Sequence, residues 1–186
     1  MLDDACGEEM AQRILKAREE ADSVGGVTET VICGTPAGVG EPWFDSVESV
    51  ISHAAFSLGG VKGIEFGAGF AAADMKGSEC NDPLRVSGGR IVTTTNNNGG
   101  INGGITNGMP IIFRCAVKPT PSIAQTQDTV DFLKNENTQL SIHGRHDPAI
   151  IRRICPVLDS VAALCVADML SLRYGTDVLT KGVDDR

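Results

Sequence analysis

Aromatic side chains are scarce in these 186 residues, which hold one Trp, one Tyr and six Phe. With no aromatic series to stack bases and no Lys/Arg run to meet phosphates, nucleic-acid binding lacks its usual footprint. The formal charge of −8, from 24 acidic and 16 basic residues, argues the same way. A phosphorylated ligand would need a local basic pocket against an acidic background. Cys6, Cys33, Cys80, Cys115, Cys155 and Cys165 are scattered, with no CxxC and no Cys/His ligand spacing, so no metal site is expected. A chain of this length needs no staples, and the thiols read as reduced. No apolar run approaches the ~20 residues of a membrane-spanning helix. The acidic start Leu2-Asp3-Asp4 has neither the charged nor the apolar region of a secretory signal. The expectation is a soluble, cytoplasmic protein without membrane or nucleic-acid partners.

What is present has the periodicity of a mixed fold. Residues 5–21 predict a helix with Met10, Ile14 and Ala17 or Arg18 on one side. Gly25-Gly26 ends it, and residues 27–33 alternate as a half-buried strand does. The turn-rich connector GTPAGVGEP leads to a helix over about residues 42–57, with Pro42 in its first turn. Residues 61–66 and 109–117 predict two more strands, the second apolar enough to be central. One more strand is expected within residues 129–142, around a polar turn at Asn135-Glu136-Asn137. Residues 149–174 carry too many apolar side chains for a narrow stripe, and Pro156 should kink or restart that helix. These elements predict an α+β fold with antiparallel strands on a helical layer. Residues 1–178 are expected to form one domain, with a frayed charged tail over 179–186.

Residues 95–122, TNNNGGINGGITNGMPIIFRCAVKPTPS, crowd amides and glycines before an apolar segment and a lone lysine. Glycines there free the backbone for a close-approaching ligand, with N–H groups able to turn outward. Lys118 adds a cation, and Pro119 and Pro121 stiffen the loop. An anionic or flat heteroatom-rich ligand suits such a loop; a polar turn before a strand suits it equally. Asp147-Pro148 before a helix is likewise open to two readings. Asp147 is either an N-cap with Pro in the first turn, or a carboxylate placed for proton transfer.

Six blocks in order carry a resemblance: DSVGG at 22–26, PAGVGEPWFD at 36–45, SHAAFSLGGVKGIEFGAGFAAADMKGSECND at 52–82, the Asn/Gly loop, AVKPTPSI at 116–123 and GRHDP at 144–148. Together they resemble the second half of chorismate synthase. The resemblance implies that family's β-α-β sandwich, in which helices pack between two sheets, with this chain supplying about one sheet. It implies a lyase of the shikimate pathway to aromatic amino acids. The reaction is the 1,4-anti-elimination of phosphate from 5-enolpyruvylshikimate 3-phosphate, giving chorismate, with reduced FMN as cofactor and no net redox change. The family assembles as a homotetramer.

By the same resemblance, Lys118, Pro119, Thr120, Pro121 and Ser122 match the flavin-contacting lysine loop. Gly103 matches a glycine at which backbone approaches the flavin. Gly59 and Gly60 stand where the family has a contacting pair, usually Asn-Ala or Pro-Ala. Arg145 matches an arginine near flavin and substrate, able to depress the pKa of Asp147 and to pair with phosphate. Asp147 matches the aspartate placed to act on flavin N5. His146 falls where the family takes His or Ser, so an essential role is not expected; His53 reads as a packing or surface residue, and His143 precedes the motif, where it could help polarise it. Asn98 departs from the usual NNAGG.

The GESHG-like start and RPSHAD-like block of the family's first half, with its catalytic histidines and arginine-rich pocket, have no counterpart in these residues. The expected partners are therefore the substrate, that N-terminal half and further copies of the chain. The alternative is an inactive flavin-binding or oligomerisation module derived from the enzyme.

Overall fold

The computed structural model describes residues 3–182, and its backbone divides into two compact units. In chain order the helices are α1 (Asp4–Glu19), α2 (Val47–Phe56), α3 (Gly77–Cys80), α4 (Ile151–Tyr174) and α5 (Val178–Lys181). The strands are β1 (Gly26–Ile32), β2 (Val61–Phe66), β3 (Leu84–Ser87), β4 (Arg90–Thr93), β5 (Ile101–Asn102), β6 (Ile105–Thr106), β7 (Ile111–Val117), β8 (Gln127–Asp131) and β9 (Glu136–Leu140).

The first unit joins the N-terminal residues through Gly26 to Val117–Arg153. Asp3 caps α1, its Oδ1 accepting from the Ala5 and Cys6 amides at 2.9 and 3.4 Å. The helix stops earlier than the glycine pair suggests, because Ala21 takes a left-handed φ of 56°. Only Ala17 of α1 is buried, while Met10 and Leu15 stay exposed. β8 and β9 form a hairpin where one further strand was expected, and its turn lies at residues 132–135, with Asn135 at φ 55°. Asp131 sets that turn, its Oδ1 accepting from the Leu133 amide at 2.9 Å.

The second unit contains Val27–Ala116 and the chain from Ile154 onward. Its three-stranded sheet has the order β1-β7-β2, so the apolar strand is central, as expected. Ile111, Phe113 and Cys115 of β7 are buried on one face, and Val47, Ile51 and Ala55 of α2 join the same core. On β1 the buried face carries Thr28 and Thr30, while Val27 and Val31 are exposed. Thr30 Oγ1 donates to Asp159 Oδ1 of α4 at 3.2 Å, which tethers helix to sheet.

The expected helix from Pro42 is corrected. A 3-10 turn at Trp43–Asp45 comes first, with Trp43 at φ 72°, and α2 begins only after Ser46. Ser46 Oγ accepts from the Ser49 amide at 3.0 Å and so sets the start of α2. A hairpin not expected from the sequence, β3–β4, turns on Gly88 and Gly89 at φ 58° and 77°.

α4 also departs from expectation. It runs through Pro156 as one element, and Ile154, Leu158, Ala162, Cys165 and Met169 form a single buried stripe. Leu164 and Leu172 face outward at 71% and 79% exposure, so the apolar surface is broader than the part this chain covers. By length and composition α4 is long and apolar enough to cross a membrane, which corrects the reading that no apolar run approached that length. Its i, i+4 buried stripe is the pattern of a helix packed on a core. Of the tail expected to fray, Val178–Lys181 is helical and residues 183–186 lie outside the described residues.

Candidate active site

In the first unit the segment 22–26 acts as a strap beneath the lysine loop. Ser23 Oγ donates to the Thr120 carbonyl at 2.6 Å, and the Val24 amide donates to the Pro148 carbonyl at 2.8 Å. A Cβ on Gly25 would stand 2.3 Å from the Val117 carbonyl oxygen and 3.0 Å from the Pro119 ring. The glycine is thus required by close approach of two backbones. Above this strap Lys118, Pro119 and Pro121 are exposed, and Thr120 and Ser122 are half-buried.

The GRHDP segment is pinned to the same loop through His146. Its Nδ1 lies 3.0 Å from Ser122 Oγ, and its Nε2 lies 2.9 Å from the Ile142 carbonyl oxygen. Asp147 is half-buried, and the cation beside it is Arg153, whose Nη1 is 3.1 Å from Asp147 Oδ2. This corrects the expected pairing with Arg145, which is exposed and makes no hydrogen bond or ion pair among the described residues. Sequence gave no pointer to Arg153 because the contact depends on the backbone turning back at the start of α4.

The capping alternative for Asp147 is not what the backbone presents. α4 starts at Ile151, and Asp147 Oδ1 receives only a long 3.4 Å contact from the Ala149 amide. Its Oδ2 is buried and has no hydrogen-bond partner, and Thr120 Oγ1 is in the same state. Among the described residues only Thr28 Oγ1 joins these two. Asp147 Oδ2 has its charge met by the Arg153 ion pair, whereas Thr120 Oγ1 has no partner, and a buried hydroxyl of that kind fits a site that takes a polar ligand.

Gly59, Gly60 and Gly103 belong to the second unit. Gly59 and Gly60 form the turn between α2 and β2, Gly60 at φ 101°. Gly103 heads the β5–β6 turn at φ 59°, and a Cβ on either Gly59 or Gly103 would meet nothing within 4 Å. Those positions leave the open backbone that a flat ligand requires. The neighbouring glycines do not. A Cβ on Gly99 would stand 2.5 Å from the Gly67 amide nitrogen, and one on Gly100 2.5 Å from the Pro110 carbonyl oxygen. Their N–H groups bond to the Asn96 carbonyl at 3.0 Å and to Asn96 Oδ1 at 2.8 Å. Most of the Asn/Gly loop is therefore scaffold, with its amides spent internally rather than turned outward.

Asp82 organises that scaffold. Its Oδ1 accepts from Thr95 Oγ1 and the Asn97 amide, both at 2.7 Å; its Oδ2 accepts from the Asn98 amide at 2.8 Å and side chain at 2.9 Å. Burial pushes the carboxyl up, but the Asn98, Thr95 and Asn97 hydrogen bonds outweigh it and hold its pKa below the ordinary value. Asn98, a departure from the family's Ala, thereby ties itself to the hub. On β2, Glu65 accepts from the Phe70 amide at 2.9 Å and from Arg114 Nε at 2.7 Å, and these bonds lower its pKa, the Phe70 amide foremost. Arg114 also donates to the Gly67 carbonyl at 2.9 Å, while Ala68 N–H donates to the Asn97 carbonyl at 2.7 Å. A chain of bonds thus links Glu65, Arg114, residues 67–68 and the Asn/Gly loop.

A family model described as chorismate synthase matches residues 1–171. The chorismate synthase of Methanosarcina acetivorans is 51% identical over 168 residues, covering 90% of this chain and 46% of that protein. That of Korarchaeum cryptofilum is 50% identical over 166 residues, covering 88% of this chain and 46% of its own length. A solved structure titled "Crystal Structure of Chorismate Synthase" aligns with a TM-score of 0.73 at 31% identity, covering 91% of this chain and 44% of that one. The chain spans about half the length of the curated relatives it matches. The α+β arrangement is shared with that structure, and the sequence match runs through both the lysine loop and the GRHDP segment. On these grounds the chain belongs to the chorismate synthase family.

Proposed function

We propose that this chain is the C-terminal half of a chorismate synthase. The enzyme is a lyase of aromatic amino-acid biosynthesis, eliminating phosphate from 5-enolpyruvylshikimate 3-phosphate to give chorismate. Residues corresponding to the relatives' other half complete the activity, in a cytoplasmic homotetramer. The observation that carries this reading is the Ser122–His146 contact, which holds the half-buried, Arg153-paired carboxylate of Asp147 beside the lysine loop.

Within that reading reduced FMN is the cofactor, and when bound it supplies electron density to the allylic centre that loses phosphate. Lys118 offers an ammonium to anionic oxygens, and the loop from Pro119 to Ser122 presents backbone and hydroxyl contacts. Gly59, Gly60 and Gly103 contribute backbone without a side chain in the way. Arg145, exposed and uncommitted among the described residues, is available to pair with a carboxylate or phosphate. Asp147 takes and returns a proton, and Arg153 fixes its orientation.

FMN titrations test the cofactor assignment. Lys118→Ala removes the cation and Gly103→Val places a branched side chain where backbone must come close, so both should weaken binding. Unchanged titration curves for the two variants would remove these residues from the site. A second reading, a non-catalytic oligomerisation module, draws on the exposed Trp43, Phe44, Leu164 and Leu172. Turnover in an enzyme containing this chain would exclude it.

A further inference from the structure

We infer that His146 is a positioning residue that fixes the polarity of Ser122, making Ser122 an acceptor-only contact for an N–H or O–H group of the ligand. This rests on the flavin-site reading and adds a direction to one of its hydrogen bonds. A carbonyl oxygen accepts and cannot donate. The 2.9 Å contact between His146 Nε2 and the Ile142 carbonyl therefore places the ring hydrogen on Nε2. In the neutral imidazole Nδ1 is then bare and can only accept. The 3.0 Å contact with Ser122 Oγ must be a bond donated by the serine hydroxyl. Ser122 has a single hydroxyl hydrogen, and His146 takes it. What remains for a ligand is a pair of lone pairs.

The surrounding loop reinforces that polarity. The Thr120 carbonyl already accepts from Ser23 Oγ at 2.6 Å, and the Pro121 carbonyl receives Gln127 Nε2 at 3.4 Å. Pro119 and Pro121 have no N–H to offer. Apart from Lys118 and the unpartnered Thr120 hydroxyl, the side chains of this stretch offer few donors, and acceptors gather around Ser122. A phosphoryl oxygen meeting Ser122 would find lone pairs opposing its own, whereas a ring N–H or a hydroxyl would be satisfied. The loop separates the two ends of a ligand chemically, with anionic oxygens directed to Lys118 and a donor group to Ser122.

Two measurements on the 186-residue chain test this. The chain has only three histidines, so 15N spectra of labelled imidazoles, with His146 identified by loss of its signals in His146→Gln, report the tautomer directly. The expected result is a neutral ring protonated at Nε2; a ring protonated at Nδ1 overturns the inference. FMN titration supplies the second readout. Ser122→Ala and His146→Ala should each weaken binding about 3–10-fold, with the double variant no worse than either single one. His146→Gln should restore affinity, because its carbonyl accepts from Ser122 while its amide donates to Ile142. Additive losses, or an unaffected His146→Ala, contradict the inference. An Nε2 tautomer in a chain that binds no FMN would instead overturn the flavin reading while leaving the Ser122 polarity standing.

Discussion

Gly25 shows how a single missing Cβ holds the candidate site in place. It lies in the DSVGG block, far from the lysine loop in sequence, yet an added methyl would stand 2.3 Å from the Val117 carbonyl oxygen. Backbone cannot yield there without moving Lys118 and Pro119. Gly25→Ala should therefore cost about 1–3 kcal/mol of stability and weaken FMN binding together. Gly59→Ala meets nothing within 4 Å and should stay within ~0.5 kcal/mol of the parent in a thermal melt. Equal melting of the two variants would deny the strap its role. The residue scale also marks what the sequence left hidden. Gly25 and Asp147 were visible within their motifs, but the partners that constrain them, Val117 and Arg153, become neighbours only when the chain folds. No periodicity or spacing encodes such a meeting.

At the scale of elements, the Asn/Gly loop is a small folded unit clamped by one carboxylate. The carboxyls of Asp82 and Glu65 are both more acidic in the folded chain than their ordinary values of 3.8 and 4.5. Protons therefore bind the unfolded state more readily. The stability these groups supply is complete above the ordinary carboxylate range and drains away as pH falls through their lower folded values. Asp82→Asn should lower the melting temperature at neutral pH, with the gap to the parent closing below pH 3.8. A gap that stays constant with pH would mean that the Asp82 charge contributes nothing.

α4 invites a parallel test, since one face is covered and another is not. Leu158→Ala on the buried stripe should cost about 2–5 kcal/mol, whereas Leu164→Ala should be nearly neutral in the isolated chain. Equal costs would place the packed face of the helix elsewhere. The long elements α1, α4, β1, β2 and β7 are legible from their period, but burial follows the apolar pattern only in β7 and the α4 stripe. α1 buries Ala17 alone, and β1 buries threonines while its valines are exposed. The β3–β4 hairpin is hard to read from sequence although Gly88-Gly89 between LRVS and RIVT is a strong turn signal, because the strands on either side are short and exposed. The start of α2 differs from its sequence signal because Pro42 fits a helical first turn, but the left-handed Trp43 forces a separate 3-10 turn.

For the whole molecule, the family membership and the half-length match make one question central. It is whether this segment brings the proton-transfer carboxylate to a flavin-dependent elimination. Its thiols give no competing chemistry at the core, since burial pushes Cys115 up to about 11 and also raises Cys165. The motif blocks point to the lysine loop and Asp147 as candidates, because a whole family's order of motifs outweighs any local propensity. The hydrogen-bond frame beneath them had to be read from the fold. The most direct test is anaerobic chorismate formation, with reduced FMN, by a chimera in which this chain replaces the matching segment of the Methanosarcina acetivorans relative. The parent chimera should turn over, and Asp147→Asn should cut its turnover by ~10² or more with melting temperature and FMN affinity unchanged. Full turnover in the Asp147→Asn chimera would contradict the account, leaving Asp147 without a part in the proton transfer.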